Sequence, residues 1–442
     1  MNKEKYGLLT AISMIVGIVI GSGIFFKADD ILSAVGGNVI LAILAIVTGG
    51  LIMLFGAYSV SFIAGKNVKS SGLIDYVELG YGKRVAYYVG LFASVVYFPS
   101  LVSIVSYVSA NYTIALFHMD SNDVWLLSFI YLVLSYVFNY VSPLLAGYFQ
   151  VSTMMIKLIP VALVFIFGLI YGQTSGTLYE NLSSLSMASG GGGFALALLS
   201  TAFLYDGWIV STSINSEIKN PKKNMPKALV IGSTIVILAY VGYYAGLFGV
   251  LNVDEFLFHQ DQSVFIAVER LFGQISSRFL MVFVVISCLG TLNGLSLASI
   301  RGLYQVYARF NEKTKMINVS QSNGMPKTSF MFSMAASLVY LAVFYGNELD
   351  LYNGVFDLAE LSVGFLYLVY AMIYIYIIRH EKSLSKIKRF IFPIGALIGS
   401  GFILFATTMK YGFWMFLLFN FVILLIGYVV KKHYRLTFKE EM

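Results

Sequence analysis

Two short stretches of an otherwise apolar chain could bind a charged ligand inside predicted membrane helices. The first is GSG at residues 21–23, and the second is Asp206 followed directly by Gly207. In lipid, a carboxylate is costly, and so is a backbone group without a hydrogen-bond partner. Both are tolerated where the helix opens and these polar groups face a cavity. Both stretches therefore predict broken helices, and paired breaks in corresponding helices of two inverted repeats are typical of a substrate site near the middle of the membrane.

Opened helices would expose backbone groups of opposite partial charge. N–H groups at the start of an outer half-helix suit a carboxylate, and C=O groups at the ends of inner halves suit an ammonium. A ligand that carries both groups is an α-amino acid. The predicted binding residues are Val19, Ile20, Gly21, Ser22, Gly23, Phe203, Tyr205, Asp206 and Gly207.

Two of these assignments leave alternatives open. Gly17 and Gly21 also form a small-xxx-small pattern, which indicates close helix packing when it occurs alone. Asp206 could contact substrate, pair with a buried lysine or stabilise the break, and a structural role is favoured slightly over direct binding.

The elements that must position these residues are membrane helices. The chain has 442 residues, of which 58% are hydrophobic and 12% charged, and its mean hydropathy is +0.81. That composition excludes a soluble globule and predicts an all-α, polytopic membrane protein. Twelve spans are predicted near 7–32, 38–64, 83–116, 124–142, 144–172, 193–217, 227–250, 277–309, 328–346, 351–378, 390–408 and 411–430.

Charge is distributed unevenly between alternate connections. EIKNPKKNMPK and RHEKSLSKIKR are basic, whereas HMDSND and QTSGTLYENLSSLSMASGGGG contain no Lys or Arg. By the positive-inside rule this pattern predicts cytoplasmic N- and C-termini in the cell membrane. The net charge of +7 then reflects orientation rather than nucleic-acid binding. The outer connection 252–273 is expected to form short helices.

Several motifs resemble the L-type amino acid transporter branch of the amino acid-polyamine-organocation superfamily, especially its bacterial members. They are IVGIVIGSGIF, FLYDGWIVSTSINSEIKNPKKNMPKAL, IKLIP and CLGTLNG. The resemblance implies a LeuT-like fold in one transporter domain, with inverted five-helix repeats at 7–172 and 193–378 and two further helices at 390–430. It also implies sodium-independent antiport of alanine, serine, threonine and cysteine by alternating access.

Carried onto this sequence, the resemblance assigns individual roles. Ser22 and Gly23 would bind the substrate carboxylate, the carbonyl groups of Val19 and Phe203 would accept from its amino group, and the Phe203 ring would close the outer side. The gating and coupling residues would be Gly17, Lys157, Phe203, Tyr240 and Asn293. Animal members typically carry glycine where Asp206 stands, and the connection after span three lacks the cysteine that would link an ancillary subunit, so no such partner is implied.

The coupling residues also have structural interpretations. Lys157 lies about 12 residues, or roughly 18 Å, into span five, too deep to reach the headgroups easily. The resemblance places its ammonium where a sodium ion would lie, between Gly17 and span eight. Packing remains an equal alternative for Tyr240, as does interhelical hydrogen bonding for Asn293.

Other functional classes are disfavoured. The four histidines fall at connections and no carboxylates cluster within the spans, so a membrane-embedded transferase lacks a base or metal ligands, and neither a cofactor nor a metal is predicted. No phosphate-binding loop or repeated channel filter occurs. Cys288, the only cysteine, is expected to pack, and Asp357 and Glu360 to be solvated. Proton-coupled symport, with Lys157 or Asp206 titrating, stays open.

Overall fold

Long apolar segments form helices because, in lipid, every backbone N–H and C=O must be satisfied within the segment itself. A computed structural model describes residues 7–64, 72–183, 191–210, 212, 218–259, 262–310, 324–352 and 356–433. Its helices are α1 Leu8–Val19, α2 Gly23–Phe26, α3 Ala28–Ala34, α4 Val39–Ala64, α5 Leu73–Phe92, α6 Phe98–Phe117, α7 Val124–Val141, α8 Pro143–Ile156, α9 Leu158–Ser175, α10 Thr177–Ser183, α11 Gly191–Leu204, α12 Pro221–Val250, α13 Val253–His259, α14 Ser263–Phe310, α15 Lys327–Tyr345, α16 Leu358–His380, α17 Phe392–Tyr411 and α18 Phe413–His433.

The predicted fold class is confirmed. Within the described residues, 11 helical segments are long and apolar enough to cross a membrane. The shorter apolar helix α18 corresponds to the twelfth predicted span. The protein is therefore an all-α, multi-pass membrane protein, whereas its orientation and its inverted repeats stay predictions.

Left-handed glycines set the limits of two spans. Gly82 (φ 79°) interrupts α5, and Gly273 (φ 75°) interrupts α14. Glycine adopts this conformation without the Cβ clash that other residues incur, so each helix can continue in a new direction. The third span is thus preceded by a helical segment that begins at Leu73. The predicted short helices within 252–273 are α13 and the first part of α14.

Span five is not the single continuous helix that was predicted. It divides at Lys157 into α8 and α9. Pro160 explains the division, because proline has no N–H to donate and its ring clashes with the carbonyl group four residues earlier, that of Ile156. The lysine therefore lies at the junction of two helices.

The chain forms two compact units. The first comprises residues 1–73, 155–284 and 364–410. In this unit α9 and α12 approach backbone to backbone, and a Cβ added at Gly172 would lie 2.7 Å from the Cα of Gly249. Glycines at this crossing let α12 pack closely enough to position the tyrosines described below.

The second unit comprises residues 74–154, 285–363 and 411–442. Asp357 and Glu360 are buried here, so their predicted solvation is wrong. Asp357 accepts the N–H groups of Ala359 and Glu360 at 2.8 and 3.1 Å, and Glu360 accepts the Tyr411 hydroxyl at 3.1 Å. The helix N–H groups and the hydroxyl offset part of the cost of burying these carboxylates.

Candidate functional site

The first helix is broken, as predicted, and its backbone leaves the helix at Ile20, one residue before the predicted GSG. Ile20 (φ −70°, ψ 84°) leaves the helical conformation, and the Gly21 N–H donates to the Val19 carbonyl at 2.7 Å. These values describe an inverse γ-turn, after which the helix resumes at Gly23. Ser22 is buried between the two halves, and its hydroxyl makes no capping bond to the new helix. The break therefore places a short run of backbone and one serine hydroxyl inside the first unit.

The sixth predicted span opens at Asp206 and Gly207. Helix α11 ends at Leu204, the Asp206 N–H donates to the Phe203 carbonyl at 3.2 Å, and Gly207 has φ 94°. Only glycine adopts that angle readily. Residues 211 and 213–217, the end of this predicted span, lie outside the described residues.

The two breaks are neighbours. A Cβ added at Gly207 would lie 3.1 Å from Cγ2 of Ile18, and one added at Gly23 would lie 3.7 Å from the Phe203 ring. The sequence placed these segments more than 180 residues apart in the chain, at 21–23 and 206–207. The tertiary structure brings them to one place.

Two tyrosines one helical turn apart on α12 hold the first break. The Tyr240 hydroxyl lies 2.7 Å from the Val19 carbonyl oxygen and 3.2 Å from that of Leu204, so it can donate to either broken helix. The Tyr244 hydroxyl donates to the Ile24 carbonyl at 3.0 Å. Because residues i and i+4 share a helix face, one face of α12 contacts both sides of the break. Tyr244 was missed, although its spacing from Tyr240 was visible in the sequence.

Tyr205 packs against this arrangement. Its ring centroid lies 5.0 Å from that of Tyr240, and its hydroxyl donates to the Ile46 carbonyl at 3.0 Å. Asp206 is half-buried, and its backbone closes the turn at the sixth break. Tyr205 therefore packs at the sixth break, whereas the role of the Asp206 side chain stays a prediction.

Lys157 donates from its ammonium to the carbonyl oxygen of Gly17. Only 2% of the lysine is exposed, so its ammonium does not extend out of the protein to the headgroups. The predicted contact between Lys157 and Gly17 is present. The predicted contact between Lys157 and span eight stays a prediction. A buried ammonium is costly without such acceptors, and the unwound end of α1 can supply them.

A second lysine, Lys27, is also buried in the first unit. It is 4% exposed, and its ammonium lies 5.2 Å from the Phe203 ring centroid and 5.4 Å from that of Phe26. It also pairs with Asp30 at 2.6 Å. The Phe26 and Phe203 rings meet edge to face at 5.6 Å. The Phe203 ring is therefore held over Gly23 by an aromatic edge and a cation.

Asn293 lies in the second unit, within a buried amide network. Asn139 donates to the carbonyl and side-chain oxygens of Asn293 at 3.0 and 2.9 Å, and Asn293 donates to the Ala146 carbonyl at 3.0 Å. These contacts match the structural interpretation that was left open. No cluster of three or more metal-ligating side chains occurs in the described part of the chain.

Comparison with known proteins agrees with this arrangement. Residues 6–432 match the family model described as amino acid permease. The serine/threonine exchanger SteT of Bacillus subtilis (strain 168) is 28% identical over 92% of this chain and 91% of its own length. The human b(0,+)-type amino acid transporter 1 is 27% identical over 77% of this chain and 70% of its own length. The human cystine/glutamate transporter is 25% identical over 76% of this chain and 68% of its own length.

These relatives are named as transporters and exchangers, which agrees with the prediction that the chain is not an enzyme. Because the family model spans nearly the whole chain, the resemblance drawn from the sequence motifs is confirmed at family level. The protein with two broken helices and a buried lysine belongs to the amino acid permease family of the amino acid-polyamine-organocation superfamily.

Proposed function

We propose that the protein exchanges small neutral L-amino acids across the membrane, independently of sodium, by alternating access. One observation carries the proposal: the two broken helices meet within one unit and bring backbone donors and acceptors together. Serine and threonine are favoured as substrates because an exchanger named for them is similar over nearly the whole chain. Alanine and cysteine are included for their similar size.

The substrate carboxylate would bind the N–H groups of Ser22 and Gly23 and the Ser22 hydroxyl. The amino group would bind carbonyl oxygens at the ends of the broken helices, from Val19 or Ile20 and from Phe203. The Val19 carbonyl accepts from the Gly21 N–H and the Tyr240 hydroxyl. A bound ammonium would therefore share or replace the Tyr240 bond, and the tyrosine can turn its proton to Leu204.

Sodium independence is supported by Lys157. Its ammonium supplies a fixed positive charge at the Gly17 carbonyl, where a sodium-coupled transporter would take an ion from solution. A charge that is part of the chain cannot dissociate down an ion gradient. Transport would then be driven by the amino acid gradients alone.

Counterflow in proteoliposomes tests exchange directly. We expect labelled serine to enter vesicles only when unlabelled amino acid is present inside, with sodium or with choline outside. Exchange proceeds because the substrate-bound form changes its accessibility more easily than the empty form. Uptake into empty vesicles that follows an imposed pH gradient would instead establish the rival, proton-coupled symport.

The Phe203 ring is expected to close the outer side of the site. We expect Phe203→Ala to lower exchange at least tenfold, and Phe203→Tyr and Phe203→Trp to retain much more of it, because closure needs an aromatic face against Phe26 and Lys27. Initial exchange rates at equal protein density measure this. Equal loss in all three variants would show that the ring does not act as a lid.

Competition identifies the substrate class and the role of Asp206. We expect serine, threonine, alanine and cysteine to inhibit labelled serine uptake, and arginine, lysine and polyamines to inhibit weakly. The backbone of Asp206 closes a turn, and its side chain is assigned no cation-binding role. Strong inhibition by arginine that disappears in Asp206→Asn would assign the carboxylate to substrate recognition.

The expected subunit composition follows from the cysteine content. Cys288 is the only cysteine, and its side chain is buried. A disulfide to another subunit needs an accessible thiol. We therefore propose that the protein functions without a disulfide-linked ancillary subunit.

A further inference from the structure

A groove containing three lysines opens on the first unit, at the face that the charge pattern predicts to be cytoplasmic. Its volume is about 690 Å³. The residues that matter for its chemistry are Tyr58, Phe62, Lys222, Lys227, Ile231 and Lys388. No Asp or Glu is found among the described residues that line it, so this described lining combines an apolar wall with positive charge.

Three chain segments build the groove. They are the end of α4, the beginning of α12, and the connection between α16 and α17. Lys222 lies in the first turn of α12, which contains no acidic residue. A lysine there is unfavourable, since the helix N-terminus already carries partial positive charge. An anion bound nearby would relieve this repulsion.

Contacts around Lys388 direct it to the groove. Its ammonium lies 6.0 Å from the Phe62 ring centroid. The adjacent Arg389 instead donates to the carbonyls of Ile378 and Arg379 at 2.7 and 3.2 Å, and so completes the C-terminal end of α16. Arg389 therefore hydrogen-bonds to backbone carbonyl groups, whereas Lys388 lies over the aromatic wall of the groove.

The wall beside the lysines is suited to hydrocarbon. Ile231 is 42% exposed, and Tyr58 and Phe62 pack edge to face at 5.0 Å. Apolar surface next to clustered lysines, at the end of membrane helices, matches a phospholipid with an anionic headgroup. A soluble phosphate could use the charge but would leave the apolar wall uncovered.

We propose that this groove binds one anionic phospholipid of the cytoplasmic leaflet. Lys222, Lys227 and Lys388 hold its phosphate, and Phe62 and Ile231 contact its acyl chains. The bound lipid joins the end of α4, the start of α12 and the α16–α17 connection. The proposal does not depend on which substrate is transported.

Native mass spectrometry of the full-length protein in detergent, with dioleoyl phosphatidylglycerol added, tests the site. The test variant is Lys222→Gln/Lys227→Gln/Lys388→Gln. The control variant, Lys223→Gln/Lys382→Gln/Lys386→Gln, removes the same charge from exposed lysines that do not line the groove. We expect the test variant to bind the lipid about a hundredfold more weakly, since each of its three lysines near a lipid surface contributes about fivefold. The control variant should bind within about twofold of wild type.

Four comparisons could overturn the proposal. Equal weakening in the control variant would show nonspecific charge attraction, and unchanged binding in the test variant would show that the groove is not the site. Dioleoyl phosphatidylcholine should not compete. Inorganic phosphate at millimolar concentration should not displace the phosphatidylglycerol, and displacement would show an anion site that does not require a lipid. A thermal shift with phosphatidylglycerol, present in wild type and control but absent in the test variant, would confirm the site in folded protein.

Discussion

Lys157→Ala is expected to lower amino acid exchange by between about fivefold and about a hundredfold while leaving a folded, membrane-inserted protein. The variant removes the ammonium that donates to the Gly17 carbonyl and leaves that buried acceptor without its charged donor. Such a loss costs on the order of 1–3 kcal/mol. If one access state makes the contact and the other lacks it, this energy shifts their relative populations.

The measurement is exchange from each side of proteoliposomes with known orientation. We expect the apparent affinities at the two faces to change unequally, which a general loss of stability would not produce. Lys157→Met separates charge from bulk, because methionine retains an unbranched apolar chain without the ammonium, and it should behave like alanine. Lys382→Ala, at an exposed lysine away from the site, should exchange like wild type.

Sodium provides an independent check on the same residue. Wild-type exchange should be unchanged when choline replaces sodium, because the cation at Gly17 is covalently part of the chain. Sodium-stimulated uptake in wild type would contradict this role for the lysine, as would full activity in Lys157→Ala.

Gly23→Val is expected to abolish measurable uptake without unfolding the protein. Gly23 begins the helix after the first break, and a Cβ placed there would meet the Phe203 ring at 3.7 Å, an ordinary contact. The backbone thus tolerates a small side chain. A branched one would fill the space between the N–H groups and the Phe203 ring where we place the carboxylate.

The glycine series separates binding from folding. Gly23→Ala should fold normally and retain part of the transport, whereas Gly23→Val should fold and fail to bind labelled serine. Gly207→Ala should instead lower the thermal unfolding temperature, because φ at Gly207 is 94° and a Cβ would lie 3.1 Å from Ile18. Serine binding by scintillation proximity and thermal melting distinguish the cases. Normal uptake by Gly23→Val would remove the first break from the proposed site.

The spans and the breaks were predictable because their causes are local. A membrane segment must be apolar for about 20 residues, so hydropathy alone located the helices. An aspartate or a GSG run within such a segment conflicts with an unbroken helix in lipid, so Asp206 and residues 21–23 identified both breaks. Lys157 was equally visible, because a lysine so far from either end of a span needs a partner inside the protein.

The limits of the helices were less predictable. Gly82 and Gly273 interrupt helices only because the neighbouring chain changes direction there, and many other glycines of the sequence lie within regular helices. The division at Lys157 had a local cause in Pro160, but the same proline in a different environment could have produced only a bend. The sequence shows the glycines and prolines at which a helix can be interrupted. Tertiary packing decides at which of them it is interrupted.

The assembly of the site was decided by tertiary structure. Tyr240 and Tyr244 could have been lipid-facing or packing residues, and only the glycine-mediated approach of α9 and α12 placed their hydroxyls at the carbonyls of the first break. Lys27 could have been solvated, but the rings of Phe26 and Phe203 and the carboxylate of Asp30 surround it. Sequence determined where the backbone must open, because the cost of burying polar groups is local. Which side chains satisfy the opened backbone depended on helices distant in sequence, because hydrogen bonds and ring contacts require atoms to meet in space.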